Sequence, residues 1–138
     1  RAPAGGGAIP SDGGGEGSEG GAPDEPGEVV ALASAAELGA LLARCAAAGK
    51  TAVVFFSAAW CGPCRRVAPE LAKVALRRRR EAFAAVDVDA LPGLAEAWAV
   101  AKLPTLLLFR GGGGGGGGPA ARLEGAACWK LVAKLDEL

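Results

Sequence analysis

The stretch VVFFSAAWCGPCRRVAPEL, residues 53–71, joins an unbroken apolar run to two cysteines, Cys61 and Cys64, that are separated by two residues. A continuous run rich in Val and Phe is typical of a strand that is buried on both faces of a sheet. After the cysteines, Val67 and Leu71 recur at helical spacing. The stretch therefore predicts a buried strand followed by a helix that begins at a pair of thiols.

Similar signals predict the elements on either side. Ser34 and Glu37 form a capping-box pattern ahead of a first helix, and Gly49 is a natural end for it. Pro92 suits the first turn of a short helix that ends near Trp98. The other predicted strands have the sequences EVVAL, AFAAVDV, PTLLLF and AARLE. A last helix is predicted to bury one face, made of Cys128, Leu131, Val132, Leu135 and Leu138.

The order of the predicted elements is β-α-β-α-β-α-β-β-α. Helices link the first three strands, which allows parallel pairing, whereas a glycine tract (111–118) joins the last two strands as an antiparallel hairpin. The sequence therefore predicts an α/β fold with a mixed central sheet of about five strands, flanked by four helices on its two faces. Cys45 and Cys128 lie on the apolar faces of the first and last helices and are predicted to be small core residues.

Composition divides the 138-residue chain into a tail and one domain. Residues 1–27 are mostly Gly, Pro, Ser and acidic residues, which predicts a disordered tail or linker, and residues 28–138 are predicted to form the domain. Residues 1–28 carry one arginine and six carboxylates, whereas the rest carries 14 basic and nine acidic residues. No apolar run approaches the roughly 20 residues of a membrane span. The basic run Arg77–Arg80 has no aromatic residues around it, so it is interpreted as a solvated helix end and not as a nucleic-acid site.

The C-x-x-C motif at Cys61 and Cys64 admits three interpretations. Half of a zinc site is disfavoured, because Cys45 and Cys128 are isolated and the chain has no histidine. A chance pair of buried thiols is the second interpretation. A dithiol/disulfide redox couple is favoured, because a cysteine at the start of a helix faces unpaired N–H groups and the positive end of the helix dipole. Such positions stabilise the thiolate, and a second cysteine one turn inside the helix can then attack a mixed disulfide.

The chain resembles the thioredoxin family over about residues 28–138, most closely the plant h-type or eukaryotic cytosolic branch. The motifs that carry the resemblance are WCGPC (60–64), Pro69, VDVD (86–89), AEAWAV (95–100), LPT (103–105) and EGA (124–126). The resemblance implies that Cys61 is the attacking thiolate and Cys64 the resolving cysteine. It implies supporting and substrate-docking roles for Trp60, Gly62, Pro63, Leu103, Pro104 and Gly125. It also implies a cis peptide bond between Leu103 and Pro104 that offers backbone groups to an extended substrate. In the fold of this family the first and last helices lie on opposite faces of the sheet, which implies that Cys45 and Cys128 are too far apart to form a disulfide.

Three positions depart from the family pattern. The family usually has a buried Asp where this chain has Phe55, and a Lys facing that Asp where this chain has Ala85. The loss of both partners avoids a lone buried charge, but it removes the expected proton acceptor for Cys64. The glycine tract (111–118) is about five residues longer than the usual hairpin turn.

The resemblance implies a protein-disulfide oxidoreductase that acts by thiol exchange in cell redox homeostasis and electron transport. It implies no bound cofactor and no metal, a thioredoxin reductase and disulfide-containing target proteins as partners, and a monomer that binds neither nucleic acid nor membrane. We expect a cytoplasmic location, or an organelle such as the chloroplast if a targeting segment precedes the sequence. One alternative is a thioredoxin-like redox or binding module of a larger chaperone or scaffold protein. A disulfide isomerase is disfavoured by the Gly-Pro between the cysteines.

Overall fold

A computed structural model describes residues 27–111 and 118–138. The elements follow in the order β1 (Val29–Ala31), α1 (Ala35–Ala48), β2 (Ala52–Ser57), α2 (Gly62–Arg77), β3 (Ala82–Asp87), α3 (Pro92–Ala97), β4 (Thr105–Phe109), β5 (Ala121–Glu124), a 3-10 helix (Gly125–Lys130) and α4 (Leu131–Glu137). This is the predicted order of strands and helices. The predicted tail (1–27) and glycine turn (111–118) lie outside the described residues, apart from their boundary positions.

The five strands form one mixed sheet in the order β1-β3-β2-β4-β5. β1 and β2 pair with β3 in parallel, whereas β4 pairs with β2 and β5 pairs with β4 in antiparallel. The predicted mixed sheet is thus confirmed. β2 lies at its centre and is buried along nearly its whole length, as its unbroken apolar sequence predicts.

Side chains of β2 alternate between two apolar cores, one on each face of the sheet. Phe55 packs in the core beneath α2 and α4, and Phe56 packs in the core beneath α1 and α3. Cys128 is buried in the first core and Cys45 in the second. The predicted placement of the two cysteines on opposite faces is confirmed, and the structure does not bond them to each other.

The ends of α1 use the residues that the sequence predicts. The Ser34 Oγ accepts a hydrogen bond from the Glu37 N–H at 3.2 Å, and the Glu37 carboxylate accepts one from the Ala33 N–H at 2.8 Å. At the other end Gly49 has a left-handed φ of 72°, and the N–H of Lys50 donates to the carbonyl of Cys45. The pattern is a Schellman cap, in which glycine carries no steric cost.

The last helix differs from the prediction at Val132, which is 40% exposed. Cys128 lies in the 3-10 helix that precedes α4, and a 3-10 turn places residues i and i+3 in line. Leu131 therefore follows Cys128 into the core, and Val132 is rotated outward. In the described part of the chain no helix is both long and apolar enough to cross a membrane.

The basic run after α2 is only partly the solvated helix end that the sequence predicts. Arg78 is half-buried, and its guanidinium donates to Glu81 and to Asp136 of α4. The carboxylate of Glu81 is the main cause of the raised pKa of Arg78, which burial partly opposes. Arg77, Arg79 and Arg80 are exposed, as predicted.

Candidate active site

Cys61 is the N-cap residue of α2, at the edge of the sheet where β2 ends. Its backbone is extended (φ −86°, ψ 109°), and its N–H donates to the carbonyl of Ala58 at 3.1 Å. The Cys61 Sγ accepts a hydrogen bond from the Cys64 N–H at 3.2 Å, so the sulfur acts as the helix cap. Pro63 lies in the first turn, where its missing N–H has no helical partner to lose. The predicted strand-to-helix position of the first cysteine is therefore confirmed.

Cys64 lies one turn into α2 and is almost fully buried. The sulfurs of Cys61 and Cys64 are joined as a disulfide, with the Cα atoms 5.3 Å apart, which is within the range for such bonds. Phe55 and Val67 pack in the same apolar core as both sulfurs. The geometry supports a dithiol/disulfide couple, because the fold already holds the two sulfurs at the separation that the bond requires.

The loop before β4 contains the predicted cis peptide bond between Leu103 and Pro104. The Pro104 carbonyl accepts a hydrogen bond from the Gly125 N–H at 2.8 Å, and Gly125 has a left-handed φ of 56°. This bond ties two of the predicted flanking residues to each other. Within the described residues the N–H and the carbonyl of Leu103 have no hydrogen-bond partner.

Cys128 supports the same loop from inside the core. Its Sγ lies 3.6 Å from the Pro104 carbonyl and 3.6 Å from the Leu123 carbonyl, in positions to donate to either. Burial raises the pKa of the Cys128 thiol to about 11, so it stays protonated at neutral pH. The sequence predicts Cys128 as a core residue but does not indicate its contact with Pro104, because the two residues are 24 positions apart.

Trp60 is 66% exposed, yet its indole is held in place. Its Nε1 donates to Asp89 Oδ2 at 2.9 Å, and the Asp89 N–H donates to Asp87 Oδ1 at 2.9 Å. Arg65 of α2 donates to the carbonyl of Ala59 at 2.6 Å, which fixes the loop on the other side of the tryptophan. Sequence reasoning missed the roles of Asp89 and Arg65. The position of VDVD at the carboxyl end of β3, at the same sheet edge as Cys61, is the signal that points to Asp89.

An open groove of about 540 Å³ runs from the cysteine pair to α3. Its lining includes the four consecutive residues Trp60–Pro63, part of α3, and the loop between α3 and β4 up to Leu103. Val88 and Ala95 contribute apolar surface, and Glu96 contributes a carboxylate. Four of the predicted docking residues thus meet at this groove: Trp60, Gly62, Pro63 and Leu103. Pro104 is fully buried and does not line the groove. Its carbonyl accepts the hydrogen bond from the Gly125 N–H.

Comparison with known proteins agrees with the fold and with the cysteine geometry. The sequence model of the family described as Thioredoxin matches residues 35–137. This chain belongs to the thioredoxin family. The family assignment and the joined Cys61–Cys64 pair fit thiol-disulfide oxidoreductase chemistry.

Two curated relatives and one solved structure illustrate the similarity. The chain is 39% identical over 86 residues to a thioredoxin H-type of Oryza sativa subsp. indica, which covers 62% of this chain and 70% of that protein. It is 36% identical over 84 residues to the TPR repeat-containing thioredoxin TDX of Oryza sativa subsp. japonica, covering 61% of this chain and 26% of that protein. The thioredoxin of Fasciola hepatica superposes with a TM-score of 0.70 at 33% identity, over 79% of this chain and 98% of that one. The chain therefore spans only about a quarter of the TPR-containing relative.

Proposed function

We propose that this thioredoxin-family chain reduces disulfide bonds in target proteins, with Cys61 as the attacking and Cys64 as the resolving cysteine. The observation that carries the proposal is the position of Cys61 as the N-cap of α2, with its sulfur held by the Cys64 N–H. Helix N-termini stabilise thiolates, and the thiolate is the nucleophile in disulfide exchange. The reduced Cys61 is thus placed to react first.

The reaction balances as two exchanges. The Cys61 thiolate attacks one sulfur of the target disulfide, whose S–S bond breaks, and the departing target sulfur takes a proton from water. Cys64 then loses its proton to water and attacks the Cys61 sulfur, which breaks the mixed disulfide. The second target sulfur leaves as a thiolate and takes a proton from water. Two electrons pass from the dithiol to the target, and the product is the Cys61–Cys64 disulfide.

The groove and the loop before β4 offer a docking place for an extended target segment. The open N–H and carbonyl of Leu103 can pair with a peptide backbone, as an added strand does at a sheet edge. Trp60, Gly62 and Pro63 supply an apolar wall beside the attacking sulfur. Pro104 and Gly125 hold the loop in position through their mutual hydrogen bond.

The oxidised pair must be reduced again before a second target is reduced. We infer that a thioredoxin reductase supplies these electrons and that the domain of residues 28–138 works without a bound cofactor or metal. A monomer acting in the cytoplasm is the expected state, with an organelle such as the chloroplast as the alternative location. The similarity of the chain to thioredoxin H-type relatives supports the cytoplasmic location.

Reduction of insulin disulfides with a thioredoxin reductase and NADPH tests the proposal. We expect NADPH oxidation and precipitation of the insulin B chain in proportion to the added protein. Cys45→Ala is a matched control, because it removes a cysteine from the other face of the sheet and should retain activity. A folded protein that neither accepts electrons from the reductase nor reduces insulin after chemical reduction would overturn the proposal.

A second candidate function is a redox module within a longer chaperone or scaffold protein. The TPR repeat-containing relative, of which the chain covers 26%, favours this alternative. The coding sequence upstream of Arg1 distinguishes the two. Helical repeats upstream would support the module, whereas a start codon or a targeting segment directly upstream would support the separate enzyme.

A further inference from the structure

Exposed arginines are concentrated on α2 and on the turn that follows it. We call the following four residues the α2 arginine face: Arg66, Arg77, Arg79 and Arg80. All four side chains are exposed, and none forms an ion pair with another described residue. Arg66 and Arg77 lie eleven positions apart, close to three helical turns, so they share one side of α2.

Most nearby carboxylates in the described residues already form ion pairs, and the exception is Glu28, which follows Gly27. Glu70 pairs with Lys73 at 3.3 Å, and Glu81 pairs with Arg78 at 3.2 Å. Asp136 of α4 also pairs with Arg78, at 2.9 Å. Glu28 leaves one unpaired carboxylate against four arginines, so the α2 arginine face keeps a net positive charge within the described part of the chain.

The chain enters the domain beside this face. A Cβ atom on Gly27 would lie 3.6 Å from Nη1 of Arg79 and 3.9 Å from Cδ2 of Leu76. Leu76 is itself 62% exposed. The residues that precede Gly27 include five carboxylates: Asp12, Glu16, Glu19, Asp24 and Glu25. The acidic segment is therefore joined to the domain next to Arg79, one of the four arginines of the face.

Chain length allows these carboxylates to reach the whole face. Asp24 is three residues from Gly27, which limits their separation to about 11 Å. Glu16 is eleven residues away and can reach about 36 Å. The 16 residues of α2 span only about 24 Å, from the arginine run to the cysteine pair.

We propose that the acidic segment of residues 12–25 docks on the α2 arginine face within the same molecule. Each exposed ion pair is weak on its own, but several act together, and the covalent link gives the segment an effective concentration in the millimolar range. The docked segment shields the positive side of the helix that begins at Cys61. Acidic polypeptides in solution must then compete with it for the same arginines.

Nuclear magnetic resonance of the full 15N-labelled chain tests the docking without depending on enzymatic activity. The probes are the side-chain Nε–Hε signals of Arg77, Arg79 and Arg80 and the amide signal of Leu76. At 10 mM salt, where the Debye length is about 30 Å, these signals should differ between the native chain and the variant D12N/E16Q/E19Q/D24N/E25Q. At 1 M salt, where it is about 3 Å, the signals of the two chains should coincide.

Two controls separate charge from other effects of the tail. The charge-preserving variant D12E/E16D/E19D/D24E/E25D should give the native signals. A short poly-glutamate peptide should bind the native chain at least about tenfold more weakly than the neutralised variant, because the tail competes for the face. Identical arginine signals in native and neutralised chains at 10 mM salt would overturn the proposal. Equal peptide affinities would also overturn it, since they assign the face to an acidic partner from outside the chain.

Discussion

Phe55 on β2 and Ala85 on β3 are direct partners in the parallel ladder, on the sheet face that carries Cys64. These are the two positions where the family pattern has a buried Asp and a facing Lys. The pair is thus replaced as a unit, by a large and a small apolar side chain. Among the described residues Thr105 is the one buried polar or charged side chain, and its hydroxyl donates to the Lys102 carbonyl. The core behind Cys64 therefore lacks a buried carboxylate to take its proton.

Phe55→Asp should lower the free energy of unfolding and raise the rate at which Cys64 resolves the mixed disulfide. Loss of the buried ring costs about 3–5 kcal/mol, and an unpaired buried carboxylate adds to that cost. Desolvation raises the pKa of the new carboxyl, which makes it a usable base near neutral pH. Stopped-flow measurement of mixed-disulfide resolution should show a rate that increases as pH rises through that pKa.

Phe55→Asn is the control for the Asp variant, because it introduces a polar group of the same size that cannot take a proton. It should lose similar packing without gaining the pH-dependent rate. The double variant Phe55→Asp with Ala85→Lys restores the family pair and provides a more stable background for the same measurement. A folded Asp variant that resolves no faster than its Asn counterpart would mean that proton removal from Cys64 does not limit the reaction.

Serine variants of the two active-site cysteines should react differently with a target disulfide. Cys61→Ser should abolish reduction of targets, because the N-cap sulfur is the nucleophile. Cys64→Ser should form mixed disulfides with an oxidised peptide and retain them, because the resolving sulfur is missing. Mass spectrometry of each variant after mixing with the peptide distinguishes the roles. Adducts on Cys61→Ser and none on Cys64→Ser would reverse the assignment.

Local patterns were enough to predict most of the fold. The unbroken apolar run predicted the buried strand β2. Ser34 and Gly49 predicted the two ends of α1. These signals depend on neighbouring residues, so a single sequence contains them. The cis bond at Pro104 was different, because it followed from the family resemblance and not from any local preference of the chain.

Contacts between distant parts of the chain could not be predicted in the same way. The bond from Trp60 to Asp89 spans 29 residues and depends on how the ends of β2 and β3 meet at one edge. The outward rotation of Val132 depends on a 3-10 turn that the apolar spacing does not distinguish from an α-helical one. Neither the hydrogen bond of Trp60 nor the exposure of Val132 can be predicted without the tertiary structure.

Cys128 should make the protein less stable in alkali. Its pKa in the fold is about 11, against an ordinary 9.0, so the folded protein retains a proton that the unfolded chain releases. Stability must then fall as pH rises from about 9 to 11, by about 3 kcal/mol in total. Cys128→Ser keeps a donor for the Pro104 and Leu123 carbonyls but does not titrate in this range. Urea unfolding between pH 8 and 11 should show a shallower alkaline loss in the Ser variant, and equal slopes would contradict the assignment.

Two Schellman caps in this protein offer a reciprocal test of backbone strain. Ala99, at the end of α3, has a φ of 55°. Its N–H donates to the Glu96 carbonyl, and the Val100 N–H donates to the Ala95 carbonyl. Gly49 occupies the matching position after α1, where an added Cβ would meet no atom within 4 Å. A non-glycine residue in the left-handed region costs about 1–2 kcal/mol, partly offset by the greater freedom of glycine in the unfolded chain. Ala99→Gly should therefore raise the free energy of unfolding by about 0.5–1 kcal/mol, and Gly49→Ala should lower it by a similar amount. Urea denaturation of both variants measures the two changes, and a loss of stability in Ala99→Gly would show that other contacts at this cap outweigh the strain.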